Sequence, residues 1–312
     1  GRLLYSLMSC RRAPGQPEPG REVELVLPLE KSLGAALLAV AGLLGTSPGS
    51  AMAQSHGKLE AHYTASLAGI PIGKGSWVVD IDNTHFSAAA SGITTGLIRL
   101  FIGGQGTSAS HGTFGGKDKF ASSIYAATIV TSNKTTESRL AIKDGDVTTV
   151  KIEPPQDHDP DRVPLTKAHE RGVFDPMTGS LVRMPGHGDL LTAKACDRKV
   201  AIFDGRLRYD LKLKYKRMDQ VNAERGYSGP VVVCSLRFLP VAGFIPSRTA
   251  IKYIAHQHDM EVWLAPIAGT RVLVPFRAQT PTPIGEAVLQ AKQFVATASG
   301  PTRASLKPDH SD

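Results

Sequence analysis

Residues 137–154 read ESRLAIKDGDVTTVKIEP, and Lys143-Asp144-Gly145-Asp146 stands between two arms in which apolar and polar residues alternate. Period-two alternation is the pattern of a strand with one buried face. An Asp-Gly pair tolerates positive φ at both central positions, as a type I′ turn demands, so a tight antiparallel hairpin is expected here.

The same texture runs outward in both directions. Before the hairpin come LEAHYTASLAG (59–69), GSWVVDID (75–82), THFSAAASG (84–92) and ASSIYAATIVT (121–131). After it come CDRKVAIFDGRLRYDLKL (196–213), PVVVCSLRFLPVAG (230–243), RTAIKYIAHQ (248–257), DMEVWLAPI (259–267) and TRVLVPFRAQTPT (270–282). Phe203-Asp204-Gly205-Arg206 repeats the turn chemistry of the first hairpin. Successive short strands with turn signals predict a mainly β fold: an antiparallel sheet curled into an open barrel or β-spiral, with one or two short helices. TTGLIRLFIGG (94–104) has helical spacing, and GDLLTAKA (188–195) suits one or two helical turns before Cys196. The Pro- and Asp-rich residues 153–172 read as a long surface loop, and no repeat of fixed period is present. One domain over residues 54–298 is expected, with a disordered tail at 299–312.

Residues 33–44, LGAALLAVAGLL, form an apolar run behind Lys31 and lead to Ala51-Met52-Ala53. A basic flank, an apolar core of this length and an A-x-A site make up a secretory signal peptide. The run is shorter than the roughly 20 apolar residues that span a bilayer. Cleavage after Ala53 is expected to release a periplasmic protein that is not integral to the membrane. The acidic lead-in, with Glu18, Glu22, Glu24 and Glu30, is unlike an n-region, so translation is expected to start downstream of it. The net charge of +8 is scattered, with KYKR (214–217) its densest cluster. No nucleic-acid motif accompanies it, and export removes that partner class. Anionic lipid or an acidic envelope polymer is the functional alternative to a merely solvated face.

With Cys10 in the leader, Cys196 and Cys234 are left as an even pair in an oxidising compartment, which argues for a disulfide. A catalytic thiol is the alternative, and it needs a histidine partner. His256 and His258 stand at i and i+2, a strand spacing that lets two imidazoles share a face, but the second falls where a turn is expected. Asp157-His158-Asp159-Pro160-Asp161 lacks the Gly and the terminal Glu of an EF-hand, and His187 sits between two glycines in a turn. Ser66, Ser76 and Ser91 lie in strand patterns without a nucleophile elbow. GGQGTSASHGTFGG (103–116) matches no phosphate loop and reads as turns around a Ser/Thr-rich strand. No metal or cofactor is expected. Trp77, Phe86, Tyr125, Phe203, Tyr209, Phe238 and Trp263 are either core or the lining of a groove for an acyl chain or a partner's segment.

FDPMTGSLVRM (174–184), CDRKVAIFDGRLRYDL (196–211), VVVCSLRFLPVAGF (232–244) and YTASLAGIPIGKGSW (63–77) together resemble an exported bacterial family, domain of unknown function 3108. The resemblance implies a β-rich envelope protein without an established activity. The family is also similar to envelope integrity proteins of the Brucella type, β-spirals with one disulfide, and to open-barrel lipoprotein carriers. Such likeness does not define a function.

The expected function is therefore non-enzymatic: an unidentified envelope protein or lipid is bound in the periplasm. One alternative is a carrier of a lipid or other apolar ligand. Another is a hydrolase that uses Asp175, Asp204 or His256, although Asp175 before Pro176 and Asp204 before Gly205 have simpler roles as turn residues.

Overall fold

The computed structural model describes residues 56–95, 103–115 and 120–299. The chain first lays down a meander of β1 (His56–Leu67), β2 (Ile70–Ile81), β3 (His85–Thr94), β4 (Gly104–Phe114), β5 (Phe120–Thr131), β6 (Thr135–Lys143) and β7 (Asp146–Glu153). A long connection follows. It carries the one-turn helix α1 (Pro176–Gly179) and β8 (Val182–Arg183). A second wing holds β9 (Arg198–Phe203), β10 (Arg208–Asn222), β11 (Arg225–Gly226), β12 (Ser228–Ala242), the helix α2 (Thr249–His256), β13 (Met260–Pro266), β14 (Val272–Thr282) and β15 (Gly285–Ser299).

Alternation explains the strands. On β1, Leu59, Ala61 and Tyr63 are buried, and Glu60 and His62 between them are exposed. In the hairpin from which the fold was read, Lys143 pairs with Asp146, and Asp144 and Gly145 take φ of 53° and 87°. Both central residues are left-handed, as a type I′ turn requires.

All strands belong to one sheet, antiparallel along the order β7-β6-β5-β4-β3-β2-β1-β15-β14-β13-β12-β10-β9, with β8 and β11 on side branches, β11 running parallel to β15. The first and last strands pair at its centre, from His56↔Ser299 to Leu67↔Ala287. The free edges are β7 and β9, and no ladder joins them among the described residues. Residues 173 and 174 reach both sides instead. Val173 N–H donates to Gly145 O at 2.8 Å, and Phe174 N–H donates to Ala201 O at 2.8 Å. The Arg206 guanidinium adds a bond to Pro154 O at 2.8 Å. The fold is thus an open antiparallel sheet of barrel-like type with short helices.

Two hydrophobic clusters sit on it. The larger fills the space among β1–β6, α1 and the second wing, with Leu59, Phe203, Phe276 and Phe294 fully buried. Each such side chain contributes about 1.5–3 kcal/mol. The smaller is built by Val182, Met184, Ala195 and Cys196 over Leu213, Val232, Cys234 and Leu273. Its cover is held by β8 pairing to β14, by Arg271 donating to Met184 O (3.1 Å) and Gly188 O (2.9 Å), and by the disulfide. Cys196 and Cys234 are bonded, with Cα atoms 5.4 Å apart, and a 3₁₀ turn at Ala193–Ala195 leads into Cys196.

Two sequence expectations need correction, and one strand lies beyond those expected. Residues 248–257 were expected as a strand, but Thr249–His256 is α2. Its half-buried Ile251, Ile254 and Ala255 lie at i, i+3 and i+4, one helical face that packs on β12. The Phe203-Asp204-Gly205-Arg206 turn is not the two-residue type: Phe203 pairs with Arg208 and leaves a four-residue loop with Gly205 at φ 95°. β15 is the additional strand. GEAVLQAKQFVATAS is rich in helix formers, and becomes a strand because β1 and β14 pair with it and bury Ala291 and Phe294. The helix expected within residues 94–104 falls largely on 96–102, outside the described residues.

Closing a loop over a sequence separation of 38 stabilises a fold by about 4 kcal/mol in the chain-entropy picture. A Cys196→Ser/Cys234→Ser variant is expected to unfold in urea with a loss of that order, since two hydroxyls are also left in an apolar cluster.

Candidate functional site

The barrel interior has a filled half and a hollow half, and α1 stands between them. Asp175 precedes α1 and is fully buried. Its Oδ1 accepts from the N–H groups of Met177 (3.0 Å) and Thr178 (2.9 Å), the N-cap role of a short acceptor side chain. Its Oδ2 accepts from the hydroxyls of Thr178 (2.6 Å), Ser123 (2.7 Å) and Ser110 (3.2 Å). Ser110 and Ser123 belong to β4 and β5, so this carboxylate clamps the plug to the meander. Pro176 follows at the first helical position, where its missing N–H costs nothing. Beyond it, Phe86, Phe114, Phe120 and Phe174 form a continuous cluster with neighbouring ring centroids 5.2–5.9 Å apart.

Asp204 Oδ1 accepts from the N–H groups of Arg206 (2.8 Å) and Leu207 (2.7 Å). Burial lifts its carboxyl above the ordinary range, although these two bonds work the other way. Burial first, and then the negative charges of Asp204 and Asp175, raise the phenols of Tyr125 and Tyr209. Asp175 therefore spends both oxygens on α1 and the meander, and Asp204 spends Oδ1 on its own turn.

The hollow half has a cause in register. In β2–β4 the inward positions are those in phase with Trp77 and Val79, with Phe86 and Ala88, and with Ser110. Near the other end of the same strands these positions are Gly73, Gly75, Gly92, Gly104 and Gly106. Three fall in one cross-strand row, Tyr63↔Gly75↔Gly92↔Gly106↔Ile129. With no side chains to fill the row, a cleft of about 740 Å³ opens there, bounded by Tyr63, Trp77, Ile129 and Leu289 and floored by Met177 of α1. Ile129 and Leu289 stay 53% and 42% exposed. Lys74, out of phase with Gly73 and Gly75, is exposed on the outer face of the same strand. The volume lies within the roughly 300–1,000 Å³ of small-molecule sites.

Of the aromatic residues expected to line a groove, the structure puts Trp77 in the cleft. Phe86, Tyr125 and Phe203 lie in the filled core. Tyr209 and Phe238 pair with each other, centroids 5.1 Å apart. Trp263 belongs to the same buried cluster as Phe86, Tyr125 and Phe203 and lies between the guanidiniums of Arg277 (4.8 Å) and Arg217 (5.4 Å), donating Nε1–H to Asp219 at 2.9 Å. This tryptophan borders a separate polar pocket of about 440 Å³ with Gln279 and Gln290. The cleft residues missed in the sequence are the glycines, Tyr63, Ile129, Met177 and Leu289. Their signal was there, since interior strand glycines mark close approach or missing packing. His256 ends α2, its ring bonded to Lys252 O at 2.6 Å, and His258 lies in the loop beyond, so they share no strand face. Ser76 and Ser91 bond each other at 2.8 Å on the outer face.

An open antiparallel sheet, plugged at one end and hollowed by glycines at the other, defines a β-barrel-like protein with an apolar cleft. The chain belongs to the family described as Protein of unknown function (DUF3108), whose match covers residues 61–292. Among solved structures it is similar to a beta-barrel-like protein of domain of unknown function DUF1849 from Brucella abortus. The identity is 9% and the TM-score 0.40, over 77% of this chain and 98% of that one. No curated protein matches it.

Two stability measurements test the carboxylates. Asp175→Asn replaces an acceptor-only group by one that brings donors against five donors, and is expected to cost about 3 kcal/mol in chemical denaturation. For Asp204 the folded-state value is raised, so its contribution is fully present below the unfolded value and is lost as pH rises through the folded one. Asp204→Asn keeps the turn acceptor without the buried charge. It should match the parent protein in acid and exceed its stability at pH 8, as denaturation at the two pH values would reveal.

Proposed function

We propose that this is an exported, non-catalytic protein of the periplasm that binds an apolar ligand of acyl-chain type in the glycine-hollowed cleft. One observation carries the reading: three glycines in register leave Ile129 and Leu289 facing an open cleft instead of a packed core. Strand interiors lose stability at glycine, so hollowing needs a return elsewhere. Apolar walls bounded by Tyr63, Trp77, Ile129 and Leu289 suit a hydrocarbon tail. Export is supported by the signal-peptide pattern at 31–53 and by the Cys196–Cys234 bond. A lipid is an envelope component, so the carrier reading specifies the broader expectation of envelope binding. The hydrolase reading is weakened because Asp175 and Asp204 are engaged by backbone N–H groups.

A Cβ on Gly106 would stand 3.6 Å from Thr128 O and 3.8 Å from Ile129 Cγ1, and one on Gly92 3.7 Å from Lys74 O, which is ordinary contact. Gly106→Leu should therefore fold and fill the cleft. The expected outcome is a retained unfolding midpoint with at least about tenfold weaker binding of cis-parinaric acid by fluorescence titration, and loss of any lipid seen by mass spectrometry of the purified parent protein. Equal probe affinity in parent and variant defeats the proposal.

A further inference from the structure

Two turns beside the cleft carry the most exposed large apolar side chains among the described residues. Ile70, which opens β2, is 68% exposed, and Ile284, between β14 and β15, is 71% exposed. Neither turn is loose. Ala68 and Gly69 take φ of 49° and 82° between the paired Leu67 and Ile70. In the other turn Thr282 pairs with Gly285, and its hydroxyl bonds Gly285 O at 2.5 Å. The turns abut, with Ala68 N–H donating to Glu286 O at 2.9 Å. Residues 67–71 read LAGIP and residues 281–285 read PTPIG, without one charge. The cleft begins close behind, at Ile72 on β2 and Leu289 on β15. At about 3.3 Å per residue these lie about 7 Å and 17 Å from the two isoleucines along their strands.

We propose that these turns are a bilayer-docking tip, which sets Ile70 and Ile284 among lipid acyl chains and brings the mouth of the cleft to the membrane surface. The inference rests on the acyl-chain reading of the cleft and extends it to the route by which the ligand arrives. Two rigid, uncharged apices suit insertion into hydrocarbon. They offer far less than the about 1,200 Å² that a stable protein–protein interface removes from water. Lys74 is exposed and lies four residues behind Ile70, about 13 Å along the strand, a setback suited to lipid phosphates when the isoleucines are inserted. The nearest carboxylate, Glu286, has Arg277 at 4.0 Å to offset it. Opposed to a bilayer, the tip thus presents apolar apices first and a cation behind them.

The test is hydrogen–deuterium exchange of the full chain, with and without vesicles of phosphatidylethanolamine and phosphatidylglycerol at 3:1. Because the readout is local, an apolar segment elsewhere in the chain does not confuse it. Vesicles are expected to slow exchange at residues 67–71 and 282–286 in the parent protein. In an Ile70→Ser/Ile284→Ser variant the protection should fall by about tenfold or more, as loss of two inserted apolar side chains implies. Unchanged exchange of both turns with vesicles, or equal protection in the variant, overturns the proposal. Parinaric acid binding by the same variant separates the two ideas. It should equal that of the parent protein, because neither isoleucine borders the cleft. The cleft reading fails through Gly106→Leu alone.

Discussion

A carboxylate that water cannot reach must find its donors within the protein, and Asp175 finds five. Two come from the first turn of α1 and three from hydroxyls, so one charge both starts a helix and fastens it to β4 and β5. Everything around it follows from that fastening. The chain on one side of Asp175 stitches the turn at Gly145 to the edge strand β9; the chain on the other side supplies Met177 as the floor of the cleft. Without the plug the sheet would enclose one continuous space. With it, the phenylalanine cluster is sealed on one side and the glycine-lined hollow stays open on the other.

The hollow shows how a β protein makes room. A core is close-packed, and neighbours relax only partly into the space that one missing side chain leaves. Gly75, Gly92 and Gly106 are adjacent in the sheet, so across three strands there is no side chain at that level to fill the gap. Tyr63 and Ile129 mark the ends of the row, and the Tyr63 hydroxyl is held by Pro275 O at 2.7 Å. The cleft is thereby a property of register, and its walls are rigid because the strands remain fully paired.

Charge is handled differently in the two wings. The meander balances Asp175 with neutral hydroxyls and N–H groups. In the second wing, buried Glu261 faces the desolvation that would raise its carboxyl, and Arg217 and Lys216 hold it below the usual range. Asp210 is treated likewise by Lys199 and Arg208. The densest basic stretch of the sequence, KYKR at 214–217, thus has an internal use in part: two of its cations neutralise one buried acid.

Local chemistry was enough for much of the architecture. Alternation marked most strands, Asp144-Gly145 marked its turn, and Asp175 before Pro176 marked the start of a turn, because each depends on residues within a few positions of one another. The disulfide followed from counting cysteines. Long-range pairing decided the rest. GEAVLQAKQFVATAS is a strand only because β1, more than 200 residues earlier, lies beside it. Ile251, Ile254 and Ala255 form a helix face only because β12 is there to receive them. The sequence by itself determined that Gly75, Gly92 and Gly106 interrupt three strands. That they lie side by side and open a cleft was decided only in the folded sheet, since alternation sets which face a residue takes and cross-strand hydrogen bonding sets which residues meet.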